Sequence, residues 1–177
     1  MRDLAEKWTV VPDWREAVID APGLSVRSLC DLHQCLVSGR LDAWARETGL
    51  PGQGVGAFGT AVGDRYSVQV ARDRVLAVSD SPLVVAPGWH AAGFAVTGVS
   101  AGLHVFEARG AGIAGLVARA TTVDPGAGSA SASLTFAGID AVAYHHGESL
   151  RLHVDRGLAA SVWLWMQKAA VAMATFR

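Results

Sequence analysis

Residues Glu148–Arg177, ESLRLHVDRG followed by LAASVWLWMQKAAVAMATFR, decide the fold. The first part alternates, with Leu150, Leu152 and Val154 on one side and Arg151, His153 and Asp155 on the other. That period specifies a half-buried strand. Asp155 is placed to cap a helix starting near Leu158, and Gly157 gives the corner its freedom. In the helix, Leu158, Val162, Trp165, Ala169, Ala172, Met173 and Phe176 gather on one apolar face, and Trp163, Met166 and Ala170 widen it. Ser161, Lys168 and Thr175 form a polar seam, and Leu164 and Val171 flank it. A helix laid on one sheet needs an apolar stripe of about 100°, and this one offers about twice that. Two readings stay open: a deeply buried core helix, or a helix whose second side meets another subunit.

The preceding chain is built from paired strands with helices between them. Leu24–Leu29 and Leu32–Ser38 read as partner strands turned through Cys30-Asp31. Leu41–Glu47 is a short helix closed by Gly49 and Pro51. A glycine-rich loop over 52–63 leads to strands at Tyr66–Val70 and Val75–Val78. After a connector at 81–93 the pattern recurs, with strands at Phe94–Val99 and Leu103–Glu107 and a helix over 110–120. Strands at Ala130–Phe136, Ala141–Tyr144 and Ser149–Val154 follow, then the final helix. The fold class is therefore α+β with antiparallel sheets, in two split-βαβ-like halves at 24–80 and 94–177. Residues 1–23, with Trp8 and Trp14, read as an N-terminal arm, either a short helix over Trp14–Ile19 or a segment lying on another surface.

Composition excludes several classes. The chain has 177 residues, 51% of them hydrophobic, and a formal net charge of −1. Such a balance points to neither nucleic acid nor an anionic membrane as partner. The opening MRDLAEKW carries charges and leads into no apolar run, so no signal peptide is expected. Gln167 and Lys168 interrupt the C-terminal apolar run, which makes a poor membrane span. Cys30 and Cys35 lack CxxC spacing, and reduced thiols in a cytoplasm are the simplest reading.

Candidate chemistry is sparse. Gly54–Gly59 matches GxGxxG, with Asp73 further on, but a helix precedes it and Thr60–Asp64 starts none, so a flexible loop is expected. His145-His146 would point to opposite faces of a strand, which argues against a metal pair and for a turn with exposed histidines. His104 is expected on the outer face of its strand. A nucleophilic Cys–His pair from Cys30, His33 and Cys35 is open in principle, but small buried cysteines are the commoner case. Arg151 and Arg156 suit an interface, a helix cap or solvated element ends better than catalysis.

Four stretches carry a resemblance to a known family. LSVRSLCDLHQCLVSG has Arg27, Leu29, Gln34 and Leu36 in the family's hairpin positions, and Leu41–Pro51 resembles its helix end. FEARGAGIAGLVARATTVDP matches at Gly110, Ala114, Leu116 and Asp124. Ala132–Ala169 matches at Arg151, Val154, Arg156, Trp163, Trp165 and Ala169. The chain resembles the gamma subunit of heterotetrameric sarcosine oxidase, a family that includes a subunit of N-methylglutamate dehydrogenase. Two segments depart from the pattern: VARDRVLAV at 70–78 lacks the family's glycine, proline and tryptophan, and TGVSAGL at 97–103 lacks its aspartate.

The resemblance implies a fold similar to the folate-binding domains of aminomethyltransferases, without their catalytic residues. It implies a structural role in the cytoplasm, with no cofactor in this chain. FAD, FMN, NAD, tetrahydrofolate and zinc would lie on the alpha, beta and delta subunits, and alpha would be the main contact. Interface residues are then expected at Trp8, Trp14, Arg156, Trp163, Leu164, Lys168 and Val171. The alternatives are an independent folate-binding or one-carbon transfer protein, for which Glu107, Asp124 and Asp140 are the candidate carboxylates, and a homo-oligomeric scaffold.

Overall fold

A computed structural model describes residues 10–175, so Trp8 and Phe176 lie outside the described residues. Strands β1 (Val18–Ala21) and β2 (Leu24–Leu29) form a hairpin around Pro22-Gly23. Pro22 presets the first central position of a type II turn, and Gly23, at φ +80°, supplies the left-handed second one. The short helix expected over 14–19 is therefore a turn followed by a strand, because Pro-Gly selects a two-residue hairpin.

The remaining elements follow in order: β3 (His33–Gly39), α1 (Leu41–Thr48), β4 (Thr60–Ala61), β5 (Arg65–Ala71), β6 (Arg74–Ser79) and β7 (Gly88–His90). Then come β8 (Phe94–Gly98), β9 (Leu103–Arg109), α2 (Ile113–Ala120), β10 (Ser133–Phe136), β11 (Ile139–His146), β12 (Ser149–Asp155) and α3 (Ala159–Thr175). As expected, the class is α+β with antiparallel sheets. One sheet runs β1-β2-β9-β12-β11-β10, with β4 added beside β11; the other runs β5-β6-β3-β8-β7.

The second sheet, taken from its other edge, is β7-β8-β3-β6-β5, the counterpart of β1-β2-β9-β12-β11. The repeated pattern thus extends to the hairpins, and the hairpins are exchanged. The leading hairpin of the first pass pairs through β2 with β9 of the second pass. The leading hairpin of the second pass pairs through β8 with β3 of the first. Residues 24–29 and 32–38 are consequently not partners, as their alternation had suggested. The chain crosses between sheets at Cys30–Leu32. Leu24 and Val26 join Phe106 and Ala108 in one core, while Val37 joins Trp44 and Phe94 in another.

The layers are α1, the second sheet, the first sheet, then α2 with α3. Trp44 of α1 packs edge-on to Phe94 in the outer core. Between the sheets lie Tyr66, Val68, Leu76, Val78 and Tyr144. Asp155 accepts a 2.7 Å bond from Gly157 N at the corner, as its position implied, and a short 3₁₀ turn at Arg156–Leu158 leads into α3. The stripe of α3 that faces the sheet is rotated from the expected one. It consists of Ala159, Val162, Trp163, Met166, Ala169 and Ala170, while Leu158 is exposed and Trp165 half-buried. The seam of Ser161, Lys168 and Thr175 does face outward.

The glycine-rich loop is tied down rather than flexible. A Cβ at Gly56 would fall 1.5 Å from the Ser129 carbonyl oxygen, and one at Gly54 would fall 2.4 Å from Gln69 N. These glycines exist for close backbone approach. Ala57 and Phe58 donate to the carbonyls of Ser131 and Ala143. With a helix before the loop and none after it, the loop has no dinucleotide-binding geometry.

Candidate functional site

A large apolar concavity lies on the outside of the first sheet, between α3 and the edge strand β1. Its upper part, about 750 Å³, is walled by Val10, Val18, Trp163, Leu164 and Gln167. A second part, about 550 Å³, continues from Val18 and Gln167 along the main chain of β1 to Ala170, Val171 and Ala174. Its apolar walls are open to solvent: Val18 is 57% exposed, Leu164 41% and Val171 68%. Beneath it, Trp14 packs edge-on against Trp163 at 5.8 Å, and Trp163 stacks on Phe106 at 5.7 Å.

Between the sheets lies a buried polar network. Arg151 donates to the Tyr66 hydroxyl, and Tyr66 and Tyr144 hydroxyls meet at 2.8 Å. The Tyr144 hydroxyl reaches His153 Nε2 at 2.8 Å, and His153 Nδ1 reaches the Gln34 side-chain oxygen at 2.7 Å. Gln34 oxygen can only accept, so His153 carries its proton on Nδ1 and Tyr144 donates to Nε2. Tyr66 then donates to Tyr144 and accepts from Arg151. Arg151 also bonds Glu107 at 3.3 Å, and Arg27 and Arg109 meet the same carboxylate at 2.9 and 2.7 Å.

These groups hold fixed protonation states. Burial would raise the Glu107 pKa, but the bond from Arg27 and the charges of Arg109 and Arg151 outweigh it and hold the carboxyl below its usual range. Burial raises both tyrosines, Tyr144 the more strongly. Burial, with Arg151 adding to it, lowers His153 to about 3. His104, pinned between Trp14 at 4.4 Å and Phe106 at 4.6 Å, is lowered by burial and by Arg156 to about 4. None of these five groups is poised to exchange a proton near neutrality.

A pH dependence of stability follows. Both histidines stay neutral when folded and take up protons when unfolded below about pH 6.5. The unfolded state therefore binds more protons there, and stability falls as pH drops from about 6.5 toward 4. Glu107 acts in the same direction at lower pH. Urea unfolding at pH 7 and pH 5 should show a loss on the order of 1–2 kcal/mol per histidine. An unchanged midpoint would contradict the buried, neutral assignment.

A model of the sarcosine oxidase, gamma subunit family matches residues 63–172, more than half of the chain. The chain belongs to that family. Among solved structures it is similar to a chain of the heterotetrameric sarcosine oxidase from Corynebacterium sp. U-96 in complex with pyrrole 2-carboxylate. The TM-score is 0.69 at 17% identity, with 89% of this chain and 88% of that chain covered. At that identity the likeness establishes a shared fold. No curated protein matches the sequence.

Within this gamma-family chain the resemblance residues 24–51 lie outside the matched span, yet Arg27, Gln34 and Arg151 converge on the inter-sheet network. Of the residues expected at an interface, Leu164 and Val171 stand on the open groove, and Lys168 is exposed on the same helix. Trp163 is corrected to a core position, 4% exposed, because Trp14 covers it. Trp14 is itself half-buried. Arg156 sits away from the groove and bonds the Ser100 carbonyl, whose hydroxyl meets Gln34. Trp8 falls outside the described residues.

Other expectations change for physical reasons. Arg151 is buried in an ion pair rather than at a solvated strand end, because both faces of β12 are covered. His104 faces the helices, beside Ser28 Oγ at 3.0 Å, because Trp14 provides an aromatic lid. His145 and His146 lie on β11, half-buried, with the turn at Gly147 and Glu148; His146 rests on Tyr66 and bonds the Gly63 carbonyl. Burial raises the Cys35 thiol, the opposite of an activated nucleophile, and Cys30 is exposed. Among the described residues no cluster of three metal-ligand types occurs. Sequence reading missed β1 and Val18, although the Pro-Gly pair after AVIDA signals a hairpin.

Proposed function

We propose that this chain is a structural, non-catalytic gamma subunit of a heterotetrameric, flavin-dependent oxidase acting on a secondary N-methyl amine such as sarcosine. In that complex the N-methyl carbon gives up hydride to flavin, and the one-carbon unit passes to tetrahydrofolate. FAD, FMN, NAD, tetrahydrofolate and zinc belong to the other subunits, with this chain bracing the large one in the cytoplasm. The observation that carries the reading is the family match through residue 172, which includes most of α3. The fixed protonation of the inter-sheet network supports a structural rather than catalytic role. Among the described residues no helix is long and apolar enough to cross a membrane.

The independent folate-binding alternative needs a free buried carboxylate. Glu107 is buried but engaged by three arginines. Asp124 is exposed and accepts from Gly126 N, and Asp140 is also exposed. Nothing here favours that alternative over the subunit reading.

The test is Leu164→Asp. Leu164 lines the open groove without belonging to the core, so the variant should keep its unfolding midpoint within about 0.5 kcal/mol. Placing a carboxylate in a subunit contact should cut recovery of the large subunit at least about tenfold on co-purification. The flavin chemistry of whatever complex remains should be unchanged. Trp163→Ala is unsuitable for this purpose, because it would open a core cavity. Wild-type recovery of the large subunit with Leu164→Asp would remove α3 from the interface.

A further inference from the structure

We propose that β1 is a docking strand: an extended segment of a partner subunit adds to its free edge, beneath the wall of α3. This rests on the subunit reading above and specifies how the contact is made. Pro22-Gly23 closes a two-residue hairpin, so Ala21 and Leu24 form the hydrogen-bonded closing pair. Alternation along the ladder then turns the N–H and C=O of Ile19 inward to Val26, and those of Val18 and Asp20 outward. Among the described residues no strand pairs with that outer edge.

Edges of sheets are normally blunted by lysine, proline, a bulge or a covering segment. The β5 edge of the second sheet is covered in that way: Ala132 N bonds the Gln69 carbonyl, and Ser131 Oγ bonds that of Val70. β1 is short and carries the charged Asp20, but among the described residues it has no lysine, proline, bulge or covering segment, and its Val18 is exposed. The groove of about 550 Å³ runs along the β1 main chain, with Ala170, Val171 and Ala174 as its far wall. An extended strand meets both needs at once, giving main-chain bonds to Val18 and Asp20 and alternate apolar side chains to the α3 wall.

Charge identifies the occupant. Asp13, Glu16 and Asp20 are exposed on the groove rim, and no ion pair engages them among the described residues. Lys168 is the single cation of α3. Two copies paired through β1 would bring six such carboxylates to one junction, which like-charge repulsion opposes. The geometry and charge therefore fit a partner segment with apolar residues at alternate positions and Lys or Arg beside them.

The experiment is amide hydrogen exchange on the full chain, free and reconstituted with the other subunits of its oxidase. In the complex the amides of Val18 and Asp20 should slow by at least about 100-fold. Asp20→Pro removes an outward N–H and spares the inward ladder, so it should weaken recovery of the complex about tenfold. The charge reversal Glu16→Lys/Asp20→Lys should weaken it too, most strongly at low salt, and it leaves the backbone intact should the proline variant fold poorly. A complete wild-type complex in which both amides exchange as fast as in the free chain overturns strand addition and leaves the subunit reading standing. Failure of the wild-type chain to assemble overturns both. Slow exchange in the free chain that vanishes on removing residues 2–9, or that depends on protein concentration, assigns the edge to the chain's own N-terminal segment or to a second copy, and overturns the proposal.

Discussion

Cut between Leu83 and Val84, neither half of this chain should fold alone. Fragments 1–83 and 84–177 each contain one complete pass, yet each sheet takes its leading hairpin from the other pass. Without β2, strand β9 becomes an edge, and without β8, β3 does. The cut also separates the cross-sheet polar pairs, Gln34 from His153, Tyr66 from Tyr144 and Tyr66 from Arg151, and within the first sheet it parts Arg27 from Glu107. Losing any one of these costs a sizeable part of the roughly 5–15 kcal/mol that holds a domain together, and losing all of them removes it. Circular dichroism of each fragment should show a disordered chain, and mixing should restore the native spectrum and a cooperative transition. A cooperative transition in either fragment by itself would contradict the exchanged-hairpin topology.

The second large effect is expected at Glu107. Glu107→Met leaves the Arg151 guanidinium buried against Tyr66 with no counter-charge. Arg27 and Arg109 are more than half exposed and can turn to water, so Arg151 bears the cost. Removing one partner of a buried pair typically costs about 3–5 kcal/mol, and replacing both with apolar groups costs far less. Glu107→Met should therefore lower the melting temperature by roughly 6–20 °C. The double variant Glu107→Met/Arg151→Met should recover much of that loss. A double variant as unstable as the sum of the two singles would show that the pair is not coupled.

Most elements were legible in the sequence because their periods are local. The alternation of 150–155 and the Asp155-Arg156-Gly157 corner specify β12 and its turn into α3 without help from the rest of the chain. Gly49 and Pro51 close α1 in the same way. Pairing was less legible. LSVRSL and LHQCLVS look like a hairpin because both alternate, but alternation does not say which sheet a strand joins. That choice depends on Phe106 and Ala108, about 80 residues away, offering β2 a better apolar face than β3 does. His104, His153 and Arg151 were misplaced for a related reason. Alternation presumes that one face of a strand is wet, and here the central strands are covered on both sides. The network itself is a set of long-range contacts with no motif, although Arg27, Gln34 and Arg151 had been marked by the family resemblance. The proposed interface was half legible. The excess apolar width of α3 is plain in the sequence, whereas the share taken by Trp14 appears only once β1 is folded against the helix.

The proposed role of this chain is that of one subunit of a flavin-dependent oxidase. The most direct measurement is a mild affinity isolation of the tagged full-length chain from its native cells, with subunit masses by mass spectrometry and an absorption spectrum of the eluate. Stoichiometric recovery of a large subunit, a mid-sized one and a small one is expected, with flavin absorption bands and oxidation of a secondary N-methyl amine. A colourless, single-chain eluate would contradict it.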